Sequence, residues 1–273
     1  MNNYFFKRPE TIKFPILISS PHSGIDFPKD EASLYLESVA NSPMDTDWFI
    51  GEIYDFADEL GIPLISAKYS RYVVDLNRPI ENKPLYADGR RESGVFPTLS
   101  FAGQPLYKSE TPSTDHELIF KQRIQKYYQP YRQKITETLS ELTAKFGGCL
   151  LFDAHSIKST VTSIQQERFP SFIVGTASGS SCPDETARLA LDSLEASKLG
   201  PVSFNSPFKG GHITRSYGDK NTNTWSLQLE MTQDLYLDEA TNLALDSKMN
   251  LLKTCLRSLI LTLGENVAQN FKS

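Results

Sequence analysis

The sequence predicts an α/β protein with helices covering an open sheet and polar chemistry at the strand ends. Two apolar runs carry that prediction. Phe14-Pro15-Ile16-Leu17-Ile18-Ser19-Ser20 and Cys149-Leu150-Leu151-Phe152-Asp153-Ala154 are strand-length and almost uninterrupted, as strands buried on both faces are. Each gives way to a histidine, His22 in Pro21-His22-Ser23-Gly24 and His155 in Asp153-Ala154-His155-Ser156. Open α/β sheets keep their ligands at the carboxyl ends of their strands. Two of the chain's four histidines are thus placed for a shared site. An imidazole there can bind metal, with Asp153 orienting it from behind. The competing reading is a hydrogen-bonded structural histidine at a strand end.

The remaining elements follow in order. Asp45-Thr46-Asp47-Trp48 precedes Ile50, Ile53, Tyr54, Ala57 and Leu60, which recur at helical spacing before Gly61, so a helix is expected over 49–60. Either acid is a candidate helix cap or a carboxylate metal ligand. A second strand is expected over 62–67. A third extended stretch, Arg71-Tyr72-Val73-Val74-Asp75-Leu76-Asn77-Arg78-Pro79, carries arginines at both ends. Guanidinium groups suit carboxylates or a polarised carbonyl, or they end in surface ion pairs. From Glu81 to Pro112 the chain is rich in Pro, Gly and aromatics. A loop of that length reads as a wall or lid over a site.

His116 to Phe146 shows the broadest apolar helical face, with Pro130 positioned to kink it. His116 itself sits among polar residues and reads as a surface histidine. Ile157 to Arg168 is polar. A strand over 172–176, a Gly/Ser/Thr turn without the phosphate-loop pattern, a helix over 184–198 and a short strand over 202–204 come next. Phe208 to Gly218 reads as a glycine-flanked loop containing His212 and Arg215. Trp225 to Met231 alternates, with Leu227, Leu229 and Met231 on one face and Ser226, Gln228 and Glu230 on the other. Glu230 then faces either a pocket or solvent. Leu235 to Phe271 is a helix-rich tail.

Bulk properties narrow the function. With 273 residues, 39% hydrophobic and 22% charged, the chain suits one large domain or two small ones. No repeat or linker divides it, so it reads as a single domain over 1–273. A net charge of −5 offers no basic field for nucleic acid. Three scattered cysteines, Cys149, Cys182 and Cys255, fit neither a disulfide framework nor a cysteine zinc site and suit a reducing cytoplasm. The first eight residues lack the apolar core of a signal peptide. No apolar run approaches the ~18 residues of a membrane span.

In this order, Pro21-His22-Ser23-Gly24, Asp45-Thr46-Asp47-Trp48, Arg71 to Arg78, Asp153-Ala154-His155-Ser156, Lys209-Gly210-Gly211 with Thr214-Arg215 and Tyr217-Gly218, and Leu229-Glu230 resemble the N-formylglutamate amidohydrolase family. The resemblance runs from about His22 to Glu230. That family is similar in fold to the zinc carboxypeptidases and aspartoacylase, which implies a mixed, largely parallel sheet flanked by helices, with one zinc at strand ends.

The resemblance implies roles residue by residue. His22 and His155 are the imidazole ligands. The related peptidases place a carboxylate ligand three residues after the first histidine, where this chain has Ile25. Asp47 is the first choice instead, with Asp45 second and Asp26 third. Glu230 matches the general base, and Arg71 polarises the scissile carbonyl. Asn77, Arg78 and Arg215 hold substrate carboxylates. His212 stands where a bulky aromatic is expected, which bears on specificity. The implied reaction is zinc-dependent hydrolysis of a dianionic N-acyl amino acid, N-formyl-L-glutamate giving formate and L-glutamate, in cytoplasmic histidine degradation. The alternatives are a related zinc amidohydrolase acting on another N-acyl amino acid or peptide, and an inactive homologue that binds small acids.

Overall fold

The two apolar runs become neighbouring central strands. The computed structural model describes residues 3–86, 92–108 and 116–271. Within them β1 (Tyr4–Lys7), β2 (Ile16–Ser20), β3 (Leu64–Ala67), β4 (Cys149–Ile157), β5 (Phe172–Gly175), β6 (Val202–Phe204) and β7 (Thr224–Thr232) form one sheet in the order β1-β3-β2-β4-β7-β5-β6. β3, β2, β4 and β7 run parallel, and β6 is parallel to β5. β1 and β5 lie antiparallel to β3 and β7. The sheet is mixed and largely parallel. Its helices are α1 (Glu37–Asn41), α2 (Ile50–Ile53), α3 (His116–Arg123), α4 (Gln129–Phe146), α5 (Asp184–Ser197), α6 (His212–Tyr217) and α7 (Asp246–Asn270). A small hairpin of β8 (Leu237–Asp238) and β9 (Leu243–Ala244) precedes α7.

Alternation along the strands sorts side chains onto two faces. Leu150, Phe152 and Ala154 of β4 join Leu227, Leu229 and Met231 of β7 in a core shared with α5 and α7. Cys149 and Leu151 point the other way and pack with Leu17 against Tyr131, Ile135, Leu139 and Leu142 of α4. That second row continues along β4 as Asp153 and His155, and along β7 as Gln228 and Glu230. The α4 face of the sheet is therefore apolar at its amino end and polar at its carboxyl end.

Several elements differ from expectation. The 49–60 segment holds only α2 and a single 3-10 turn, Asp55–Ala57. Phe49 precedes it at φ 60°, a left-handed residue that cannot sit inside a helix. Ile50, Ile53, Tyr54 and Ala57 are nonetheless buried, so short turns satisfy the apolar spacing. The 71–79 stretch is a series of turns and not a strand, its backbone tied to Ser70 and Val95. The 208–218 loop contains α6. β1 is an unexpected four-residue strand that pairs only at the sheet edge. In the long helical stretch a π turn, Ile124–Tyr128, joins α3 to α4. Pro130 has no N–H to offer the Lys126 carbonyl, which accepts a bond from Asn3 Nδ2 at 2.7 Å instead.

Among the described residues no helix is long and apolar enough to cross a membrane. Phe152 has no exposure and packs 5.8 Å from the Tyr54 ring. Phe152→Ala is expected to cost about 3–5 kcal/mol, measured by urea denaturation. A loss below about 1 kcal/mol would show that this face of the sheet can collapse around the gap.

Candidate active site

Parallel pairing sets the histidines side by side. β2 and β4 align Ser19 with Asp153, so the turn after β2 delivers His22 next to His155, with ring centroids 4.9 Å apart. The Asp47 N–H donates to the His22 carbonyl at 3.0 Å and ties the acidic loop to the same strand ends. His22, Asp47 and His155 are buried, and one donor atom from each lies within 4.8 Å of the others. Asp47 Oδ2 is 3.1 Å from His155 Nδ1 and 3.9 Å from His22 Nδ1. It also accepts the Ser156 N–H at 3.1 Å.

The outer nitrogens meet other groups. His22 Nε2 is 2.7 Å from Asp75 Oδ1. His155 Nε2 is 3.2 Å from Asp153 Oδ1 and 3.0 Å from Asn77 Nδ2. A carboxylate behind an imidazole favours the proton on that side and leaves the far lone pair for a cation. Asp153 Oδ1 is buried without a hydrogen-bond donor, and an Nε2–H on His155 is the group within reach to supply one. Two Nδ1 atoms and a carboxylate oxygen, each imidazole backed by an acid, fit a divalent metal with a position left open.

Asp45 and Asp26 do not join this set. Asp45 Oδ2 accepts the Phe101 N–H at 2.8 Å, and Asp26 is exposed. Neither Asp45 nor Asp47 makes a side-chain cap bond to α2.

Arg71 donates from Nη2 to Asp75 Oδ2 at 2.7 Å, and its guanidinium lies 4.8 Å from the Phe101 ring centre. Burial alone would raise Asp75, but Arg71, His22 and Arg78 hold it well below the usual carboxylate range. Burial, with Arg71 adding to it, lowers His22. Burial also works against the charge on His155, but Asp153 and Asp47 outweigh it and hold that imidazole well above its ordinary value. Glu230 pairs with His155 across β4 and β7 and is only 9% exposed. Burial, opposed by His155 and reinforced by Asp47, pushes its carboxyl up to about 8. His22, Asp47, Arg71, His155 and Glu230 line one cavity of about 200 Å³, and Asp75 and Asp153 lie outside its lining.

The profile of N-formylglutamate amidohydrolase matches residues 14–237. The chain belongs to the N-formylglutamate amidohydrolase family. It is 43% identical over 230 residues to an N-formylglutamate deformylase of Pseudomonas aeruginosa, covering 83% of this chain and 84% of that one. It is 40% identical over 228 residues to the deformylase of Pseudomonas putida, with 83% of each covered. The fold is shared with an N-formylglutamate amidohydrolase from Ralstonia eutropha JMP134, at TM-score 0.80 and 21% identity over 100% of this chain and 99% of that one. A gene product of Agrobacterium tumefaciens also shares it, at TM-score 0.66 and 18% identity over 95% and 96%. The protein is an amidohydrolase.

The other expected residues of this amidohydrolase divide into two groups. Asn77 and Arg78 reach the cavity wall. Asn77 Oδ1 accepts the Ile213 N–H at 2.6 Å, and its Nδ2 lies beside the same His155 nitrogen that faces Asp153. Arg78 donates to the Ser93 carbonyl at 2.9 Å and the Asn77 carbonyl at 3.1 Å. Arg215 and His212 do not line the cavity. Arg215 donates to the Gly210 carbonyl at 2.9 Å, stacks 5.4 Å from the Tyr86 ring centre and lines a separate surface groove. His212 is half-buried at the start of α6, where burial and Arg132 push it down to about 4. The His116 side chain lies outside the described residues, as do parts of the 81–112 loop. Residues 92–101 of that loop do form a wall, contributing Ser93, Phe96 and Phe101.

Two residues escaped the sequence reading. Asp75 holds His22 and Arg71 together, and the signal was a lone acid between two arginines in one short string. Gln228 accepts the Gly211 N–H at 2.7 Å and lies 3.4 Å from Glu230 Oε2. Its place on the Glu230 face of β7 was legible, but not its contact with α6.

The raised Glu230 gives a pH test on chelator-treated protein. Its folded value, about 8, lies above the unfolded value of about 4.3. The native state therefore binds more protons between them, and stability falls as pH rises through that window. Glu230→Gln removes this loss. Its stability relative to wild type is expected to grow by more than about 1 kcal/mol from pH 5 to pH 8, measured by urea denaturation at each pH. A constant difference would contradict the burial account.

Proposed function

We propose that the protein hydrolyses the amide of an N-acyl amino acid, with N-formyl-L-glutamate giving formate and L-glutamate as the leading reaction, and that one zinc ion is held by His22, Asp47 and His155. The observation that carries this reading is the convergence of that donor set with Glu230 and Arg71 in one buried cavity. A bound zinc supplies Lewis acidity that acidifies water and polarises a carbonyl.

The chain's own residues supply the rest. Glu230 takes a proton from the attacking water as the new C–O bond forms. It then delivers that proton to the amine nitrogen as the C–N bond breaks. A carboxyl raised by burial is suited to both roles near neutral pH. Arg71, held at one end by Asp75, presents N–H groups to the carbonyl oxygen as negative charge develops there. Asp75 and Asp153 keep the two imidazoles turned toward Asp47. Arg78 at the cavity wall offers a cation for a substrate carboxylate, in keeping with a dianionic substrate. Phe101 and Phe96 limit the access of water.

A specific feature favours a second reading, another N-acyl amino acid. Phe101, Ile157, Ile164 and Phe208 give the same cavity an apolar side, which suits an acyl group larger than formyl.

Formate release from N-formyl-L-glutamate, run beside acetate release from N-acetyl-L-glutamate, tests both. Chelation is expected to abolish formate release and zinc to restore it. Zinc-loaded Glu230→Gln is expected to lose about 10²–10⁴-fold in kcat at unchanged metal content. Wild-type turnover in that variant would remove Glu230 from the mechanism, and acetate release alone would move the substrate to the second reading.

A further inference from the structure

We infer that Arg123, which is not part of the cavity wall, is a positioning residue for the active site, holding the Arg71–Asp75 turn and the facing loop through one buried hydrogen-bond network. This rests on the zinc amidohydrolase reading above.

Arg123 is the last residue of α3 and only 1% exposed. Its Nε donates to Glu31 Oε2 at 2.6 Å. Its Nη1 donates to the Val73 carbonyl and to the Tyr107 hydroxyl, both at 3.0 Å. The Tyr107 and Tyr35 hydroxyls are 3.2 Å apart and their rings stack with centroids at 4.6 Å. Tyr35 in turn donates to the Tyr72 carbonyl at 3.2 Å. Two consecutive carbonyls, of Tyr72 and Val73, are thus fixed by one network.

Those carbonyls belong to the turn between Arg71 and Asp75, and Asp75 bonds both Arg71 and His22. The same network reaches the metal-ligand loop, because the Tyr72 hydroxyl accepts the Asp45 N–H at 3.1 Å two residues before Asp47. Asp45 then holds the Phe101 N–H, and Phe101 lies over Arg71. The network thus reaches the turn that carries Arg71 and, through Asp45, the Phe101 backbone, both at the cavity wall.

The physical case for positioning comes from the cost of burial. A buried ion pair is weak support for stability, because apolar residues of similar volume often serve as well. An arginine fork offers what they cannot, namely several fixed donors in one plane. Here that plane is aimed at one carboxylate, one backbone carbonyl and one hydroxyl. Removing the arginine alone would strand Glu31 and confuse lost stability with lost geometry.

The test is therefore Arg123→Met with Glu31→Leu, which removes both charges together. Zinc affinity is read by competition with a chromogenic chelator, and kcat and KM by formate release. The double variant is expected to melt cooperatively, to bind zinc about 10-fold more weakly, as when a group supporting a ligand is lost, and to lose about 10-fold in kcat with KM within about 2-fold. Wild-type zinc affinity and kcat in the folded double variant would overturn the inference. Should the double variant fail to fold, Tyr35→Phe removes only the hydroxyl that links Tyr107 to the Tyr72 carbonyl. Weakened zinc binding or lowered kcat at an unchanged Tm then supports positioning, and wild-type values overturn it. Zinc affinity does not depend on the substrate, so a wild-type protein that ignores N-formyl-L-glutamate would contradict the proposed reaction while leaving this inference to the zinc readout.

Discussion

Asp75 is a carboxylate with no exposure to solvent, and the active site is organised by the way its charge is met. A buried anion is costly unless it is paired and hydrogen-bonded. Asp75 is both. Oδ1 faces His22 Nε2 and accepts the Asn77 N–H, and Oδ2 accepts from Arg71. One side chain thereby fixes the ring orientation of a candidate metal ligand and holds Arg71 at the cavity wall. Asp153 has the matching place behind His155. The cavity is lined by His22, Asp47, Arg71, His155 and Glu230, with Asp75 and Asp153 outside its lining.

The sheet explains why these groups converge. The parallel strands β4 and β7 end together and β2 a few residues earlier, so the turn after β2 and the carboxyl ends of β4 and β7 address the same volume. On β4 and β7 one alternating row, Leu150, Phe152 and Ala154 with Leu227, Leu229 and Met231, packs against α5 and α7. The opposite row changes from apolar or small residues to Asp153, His155, Gln228 and Glu230. The same alternation that builds the core therefore also builds the site. Each of these polar side chains is carried by a strand locked on both edges, a rigid support suited to chemistry that tolerates little displacement.

Much of this was legible in the sequence, and the limits have physical causes. The buried strands announced themselves as apolar runs, and His22 and His155 as polar residues at their ends. The face of Glu230 followed from strict alternation, although the choice between pocket and solvent needed β5 packed against β7. Asp47 could not be separated from Asp45 by spacing, because only the folded loop turns one acid to the histidines and the other to the Phe101 backbone. The 71–79 segment looked extended because its residues are apolar between arginines. Those residues are buried under the site, and the backbone bends to present Arg71, Asp75 and Asn77. Arg215 and His212 carried the right chemistry for anions, but neither is among the residues that line the cavity. β1 was missed because a four-residue edge strand is too short for its aromatic run to be told from a loop, and it buries none of its residues fully.

His22, Asp47 and His155 are the proposed zinc ligands. Zinc K-edge X-ray absorption on the zinc-loaded protein tests that assignment most directly, comparing wild type with His155→Ala. The account predicts a shell of nitrogen and oxygen ligands at about 2.0–2.1 Å with scattering from two imidazoles, falling to one in the variant. A sulfur ligand at about 2.3 Å, or a two-imidazole signal that survives the substitution, would contradict it.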